Sequence, residues 1–339
     1  MFWKKFNIHR NTIHLISLSC NPVPPVRYGG IELVIAHLCE GLAAAGANVL
    51  CYSPGVLNIP GVKHYQTLVE PETHIKDGGV PNSKDHLANI KTHLAKHLQR
   101  GDVVVFNHVD HYRYLKRRLG ILHFLKANFC EVAHWIDAGM PNHIIYPSAH
   151  LQAALNRPGC VIPHGEKLIF VDPPLAKKDE FLFFAGRITK DKGVDIALAA
   201  CKQLNIKLVL AGPLNDKAFG ATIINDPTVE YVGELTYEEL VSYYSRCKAM
   251  LYMTQYTEPF GLSIIEAMAA GAPIITTGKG GTGETVIPGC TGFFAQTADD
   301  IVLAYAQLEK IRPEDCVTRA KDYTLDVMTR NYLALFHSF

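Results

Sequence analysis

At 339 residues, with 48% apolar and 19% charged residues, the chain is too long for one ordinary core and fits two domains of roughly 150 residues each. A formal charge of +1 is close to balance, so no nucleic-acid partner is expected, and no apolar run reaches the length of a membrane span. Nine cysteines, scattered singly from Cys20 to Cys316 without a Cys-x-x-Cys pair, exclude a disulfide frame and a zinc site and read as reduced thiols of a cytoplasmic protein.

Residues 1–11 carry charges, and the apolar run that follows, 13–18, is strand-sized and leads into Pro22, Pro24 and Pro25, which is not a secretory pattern. Residues 12–18 predict a strand and 22–30 a Pro/Gly loop. Residues 31–45 repeat Leu33, Val34, His37, Leu38 and Leu42 at helical spacing until Gly46 ends the helix, and 48–52 form the next strand. The alternation recurs as a helix over 87–99, a strand over 102–106, a helix over 112–119 and a strand over 121–125. A second series follows Val161-Ile162-Pro163-His164-Gly165: strands over 181–185, 207–211, 249–253 and 273–276, with helices over 194–204, 236–245 and 262–270. Such alternation implies α/β structure in two Rossmann-like domains, with ligands at the carboxyl ends of the strands and in the cleft between the domains.

The basic residues are unevenly shared. Up to Pro163 there are 16 Lys plus Arg against 10 Asp plus Glu, and most of the 16 histidines lie there too. Lys116-Arg117-Arg118 reads either as a solvated helix face or as a weak contact for phosphates or an anionic membrane surface. Residues 55–83 are rich in Pro and Gly and are expected to form one long mobile loop, a candidate acceptor flap.

Three constellations stand just after strands. The segment from Glu258 through Pro259, Phe260, Gly261 and Leu262 to Glu266 places one carboxylate in a loop and a second within the next helix, with Gly261 letting backbone N–H groups approach an anion or a sugar hydroxyl. Glu266 either shares a narrow solvent stripe with Ser263 or is buried and needs donors, which a ribose diol would supply. Arg187 and Lys192, in Gly-Arg-x4-Lys-Gly, are either surface charges in a turn or a pair of cations for a diphosphate leaving group beside a helix N-terminus, a task for which no metal is needed. The chain has no Asp-x-Asp pair of the kind metal-dependent transferases offer. Gly29 and Gly30, in Arg27-Tyr28-Gly29-Gly30-Ile31-Glu32, are either a simple turn or a loop that closes on a phosphate; the lack of full Gly-x-Gly-x-x-Gly spacing argues against an NAD-binding dehydrogenase.

The order Tyr-Gly-Gly-Ile-Glu, Gly-Arg-x4-Lys-Gly, Glu-x7-Glu around Pro-Phe-Gly, and Gly280-Gly281-Thr-Gly-Glu284 resembles the retaining glycosyltransferase family 4 of GT-B fold, the glycosyl transferases group 1. The resemblance covers nearly the whole chain and implies an N-terminal acceptor-side domain over 1–163, a donor domain over 164–321 and a C-terminal helix over 322–339 that crosses back to the first domain. It implies a metal-independent enzyme without cofactor that moves a sugar, with retention, from a nucleoside diphosphate sugar to a hydroxyl of a carbohydrate, lipid-linked or small-molecule acceptor. UDP is the expected base by family frequency.

Residue by residue, the resemblance assigns Glu258 to donor-sugar hydroxyls, Glu266 to the ribose, Arg187 and Lys192 to the diphosphate, and Gly29 and Gly30 to the loop over the phosphates. Phe260, Gly261 and Leu262 offer backbone groups to sugar and phosphate, and the region of Tyr231, Val232 and Gly233 meets the base. Family members often carry a histidine after a middle strand; here the strand over 121–125 is followed by Lys126-Ala127-Asn128. His108, after the strand over 102–106, is the candidate catalytic histidine, or else a structural hydrogen-bonder, and His164 belongs to the hinge. The alternatives are a GT-B nucleotide-sugar 2-epimerase and an inactive nucleotide-sugar-binding protein. The expected location is cytoplasmic, peripheral to a membrane if the basic cluster meets one.

Overall fold

Runs such as Val103–Phe106 (VVVF) and Ala249–Tyr252 (AMLY) have no polar face and are buried throughout, which suits strands covered on both sides by helices. The computed structural model describes residues 6–26, 29–72, 84–119, 126–134, 143–175 and 177–339. The chain divides into two units, Met1–Glu166 with Leu325–Phe339, and Lys167–Thr324.

The first unit holds β1 (Thr12–Ile16), β2 (Asn48–Ser53), β3 (Val62–Gln66), β4 (Val103–Phe106), β5 (Asn128–Val132), β6 (His143–Tyr146) and β7 (Cys160–Val161), in the order β3-β2-β1-β4-β5-β6-β7. Among the described residues its helices, besides the last of the chain, are α1 (Gly30–Ala44), α2 (Lys84–His97), α3 (Val109–Arg118) and α4 (Ala149–Leu155). The second unit holds β8 (Phe181–Ala185), β9 (Lys207–Ala211), β10 (Val229–Gly233), β11 (Ala249–Tyr252), β12 (Ile274–Thr276) and β13 (Gly292–Phe294), in the order β10-β9-β8-β11-β12-β13. Between and after them run α5 (Val194–Leu204), α6 (Lys217–Ile224), α7 (Tyr237–Arg246), α8 (Leu262–Ala269), α9 (Thr282–Thr285), α10 (Ala298–Tyr305) and α11 (Pro313–Ala320).

All neighbouring strands in both sheets are parallel. Each sheet runs outward in two directions from a central pair, β1/β4 in one and β8/β11 in the other. Those pairs are the topological switch points, where the loops leaving the carboxyl ends diverge and leave room for a ligand. The expectation of two Rossmann-like α/β units holds.

Two local expectations change. Residues 55–83 are not one loop, because β3 pairs with β2 through Val49↔Val62 and Tyr52↔Tyr65; the Pro and Gly on its flanks obscure a short edge strand, and residues 73–83 lie outside the described residues. The strand expected over 121–125 also lies outside them. The neighbour of β4 is β5, whose run NFCEV includes a buried carboxylate, Glu131, that breaks the apolar signal.

The last helix, α12 (Leu325–His337), belongs to the first unit. Leu325 N donates to the Glu166 carbonyl at 2.8 Å and Gly165 N to Met328 Sδ at 3.2 Å, while Phe336 meets Phe6 edge-on at 5.8 Å. Against α1 it packs so closely that a Cβ on Gly41 would collide with Thr329 Oγ1. Among the described residues no helix is long and apolar enough to cross a membrane. Gly41→Val is expected to overpack this contact at a cost of about 1–3 kcal/mol, read as a lowered Tm; an unchanged Tm would show that the two helices are free to separate.

Candidate functional site

At the carboxyl end of β8 the chain passes Gly186 and Arg187 into a 3-10 turn, Lys190–Lys192, and Gly193, at φ 71°, starts α5. A Cβ on Gly193 would collide with the Met253 carbonyl oxygen, so glycine alone lets this turn lie against the loop after β11. Gln255 N donates to the Asp191 carbonyl at 2.8 Å and ties the two loops together. From the other side Gly281 N donates to the Glu258 carbonyl at 2.8 Å, and Gly280, at φ 76°, leaves no room for a Cβ beside that same oxygen.

Between these anchors Lys192 Nζ donates to Glu258 Oε2 at 2.9 Å, with the two side chains 10% and 15% exposed. The ammonium also sits 4.7 Å from the Tyr256 ring centre and 5.4 Å from that of Tyr252. Burial pulls the Lys192 ammonium down, but Glu258 and Tyr256 more than offset it, so the lysine is held above its ordinary value and stays charged. Thr254 Oγ1 lies 3.5 Å from the same Glu258 oxygen. Lys192 is therefore no surface charge in a turn. Arg187, half-buried on the same loop, pairs with Asp191 at 3.5 Å.

Beyond Glu258, Phe260 is buried edge-on to Tyr323 at 5.5 Å, and Gly261, at φ 97°, starts α8 at Leu262. Glu266 is 9% exposed, and its Oε2 accepts from the Tyr244 hydroxyl at 3.2 Å. Burial, then the Glu266 charge, hold that hydroxyl protonated. Of the two sequence readings of Glu266, the buried one is correct: α7 covers the face that would have met solvent. Val232 stands on the edge strand β10, two strands from β8.

Gly29, Gly30 and His108 lie in the first unit. Gly29 caps α1 in extended backbone, and a Cβ there would lie 2.8 Å from Pro25 Cβ; Arg27 and Tyr28 lie outside the described residues. His108 follows β4 and caps α3, its Nδ1 accepting from Asp110 N at 3.1 Å. Around it the structure gathers His86, His111, His134 and His164. Ring centres lie 5.5 Å apart for His108 and His111, 5.6 Å for His86 and His111, and 5.4 Å for His134 and His164. His134 Nε2 meets Asn107 Oδ1 at 3.3 Å, and Asn107 Nδ2 donates to the Ile16 carbonyl at 3.0 Å, crossing from β4 to β1. β5 pairs with β4, and His134 stands two residues after β5 as His108 stands two residues after β4.

Sequence reasoning missed Tyr244, Tyr252, Thr254 and Tyr256. Tyr256 and Thr254 stand two and four positions before Glu258, a proximity that could have pointed to them; nothing local links Tyr244 to Glu266, 22 residues on.

Residues 166–322 match the family described as "Glycosyl transferases group 1". An uncharacterised glycosyltransferase of Methanocaldococcus jannaschii is 33% identical over 138 residues, 40% of this chain and 39% of that protein. A glycogen synthase of Mycobacterium tuberculosis is 36% identical over 136 residues, 37% of this chain and 32% of that protein. The matched part thus spans only 32% to 39% of these relatives' length. Whole-chain likeness is to solved structures: sucrose-phosphate synthase of Thermosynechococcus elongatus, with TM-score 0.79 and 22% identity over 97% of this chain and 99% of that one, and HepE of Anabaena in complex with UDP and glucose, with TM-score 0.71 and 15% identity over 96% and 99%. These likenesses establish the fold, GT-B.

Burial holds His86 and His164 down to about 4, and burial with neighbouring histidines holds His111 and His134 well below the usual range. The folded state keeps these rings neutral, whereas the unfolded chain takes up protons near pH 6.5. Stability is therefore complete above that pH and falls below it, by about 1.4 kcal/mol per histidine per pH unit until the folded-state value is reached. Tm measured from pH 7.5 to 5 should fall steeply, and a flat profile would contradict neutral burial.

Proposed function

We propose that this chain, which matches the glycosyl transferases group 1 over residues 166–322, is a member of that group and moves a sugar from a nucleoside diphosphate sugar to an acceptor hydroxyl with retention of configuration. The observation that carries the reading is the placement of Lys192, Glu258 and Arg187 on the two loops that leave the β8/β11 switch point. A departing diphosphate gains negative charge as the glycosidic bond breaks. The Lys192 ammonium and Arg187 guanidinium, with the N-terminal N–H groups of α8 after Gly261, are the groups that would stabilise it without a metal.

In this reading Glu258 accepts from donor-sugar hydroxyls. Glu266, oriented by Tyr244, takes the ribose, and the backbone of Phe260, Gly261 and Leu262 faces sugar and phosphate. Val232 borders the base, and Gly29 and Gly30 close on the phosphates. In the first unit His108 and His134 are the imidazoles nearest in sequence to the ends of β4 and its neighbour β5 and are assigned to the donor sugar and acceptor. The attacking hydroxyl approaches on the face the phosphate leaves, and the phosphate oxygen takes its proton. HepE, of the same fold, binds UDP and glucose, and the M. tuberculosis relative is a glycogen synthase; both support a UDP-sugar and a saccharide acceptor.

Thermal-shift titration with UDP-, GDP- and ADP-sugars is expected to raise Tm for one base, since a ligand that binds only the folded state stabilises it. UDP release from UDP-glucose in the presence of saccharide acceptors should fall at least about 100-fold in Glu258→Ala and in Lys192→Ala. Conversion of the free donor sugar to its 2-epimer without an acceptor would overturn the transferase reading, and nucleotide-sugar binding without any turnover would leave only a binding protein.

A further inference from the structure

Lys192 and Glu258 belong to opposite halves of the proposed donor, the ammonium to the diphosphate and the carboxylate to the sugar. The chain nevertheless joins them directly, Nζ to Oε2 at 2.9 Å. Lys192 leaves a turn pressed onto Met253, Glu258 leaves a loop pressed onto Gly280, and the Tyr252 and Tyr256 rings flank the ammonium. Arg187, on the same loop as Lys192, pairs with Asp191 at 3.5 Å, and Lys279, on the loop after β12, is turned to the Gln255 carbonyl and side-chain oxygens at 3.4 and 3.2 Å. Any anion reaching Lys192 therefore meets the field of a carboxylate already in contact with it, in a partly water-excluded place where charges act strongly on each other.

We propose that Glu258 sets nucleoside diphosphate affinity through Lys192 and thereby drives product release. This rests on the reading of the site as a donor site. While the sugar is attached, its hydroxyls donate to Glu258 and spread the carboxylate's charge. Once the sugar has moved to the acceptor those donors are gone, Glu258 draws fully on Lys192, and its charge opposes the diphosphate that remains. One carboxylate thus binds the substrate and loosens the product, and Tyr256, by holding the ammonium between the two anions, is a positioning residue.

The test is calorimetric titration of UDP and UDP-glucose, with GDP and ADP as alternative bases, into the full chain and its Glu258→Gln, Lys192→Met and doubly substituted forms. Glu258→Gln should bind UDP at least about tenfold tighter, equivalent to about 1.4 kcal/mol, and UDP-glucose no tighter. The UDP effect should vanish in the Lys192→Met background, as a double-mutant cycle requires of a coupled pair. A damaged fold loosens both ligands, so opposite changes for the two cannot come from misfolding. UDP affinity that is unchanged or weaker in Glu258→Gln, as for a carboxylate that touches only sugar, overturns the proposal, and so does tightening that persists without Lys192. If the unsubstituted chain binds none of the three nucleotides, the donor-site reading fails first and takes this inference with it.

Discussion

A charged lysine and a charged glutamate, both largely withdrawn from water, are tolerable only in contact with each other, because losing either partner leaves the other as an uncompensated buried charge. In this protein that contact spans 66 residues of sequence, from the loop after β8 to the loop after β11. It exists because the sheet order β10-β9-β8-β11 sets those two strands side by side and lets their exit loops meet. The glycines around the pair follow from the same constraint. Gly193 and Gly280 stand where a side chain would force the loops apart, so the motif glycines serve the ion pair before they serve any ligand.

The first sheet repeats the strand order but furnishes its switch point differently. Where the second unit sets opposite charges against each other, the first sets uncharged imidazoles against one another, with Asn107 bridging the ends of β4 and β1. Burial keeps these rings neutral, so each offers one donor and one acceptor nitrogen without carrying a charge. Fixed charges in one unit suit a diphosphate, and neutral, polar rings in the other suit hydroxyl groups.

Much of the fold was legible along the chain. The strands Phe181–Ala185 and Lys207–Ala211 and the helix Val194–Leu204 were read residue for residue, since their apolar runs and terminal breakers are local. Two of the strands not foreseen fail this local test for identifiable reasons. β3 is a short edge strand among prolines and glycines, and β5 carries Glu131, which reads as a surface residue although it is buried. The same cause hid His134, which stands just past β5 and joins Asn107 through its Nε2.

By itself the sequence determined the α/β class, the two series of strands and helices, and the order of motifs that carries the family likeness, because periodicity, loop glycines and motif spacing are properties of neighbouring residues. It left open whether Glu266 meets water or Tyr244, whether Lys192 lies on the surface or on Glu258, and which histidines gather around His108. Tertiary structure decided these. Each depends on which distant strands become neighbours and which helix covers which face, and burial is a property of that packing, not of any side chain alone.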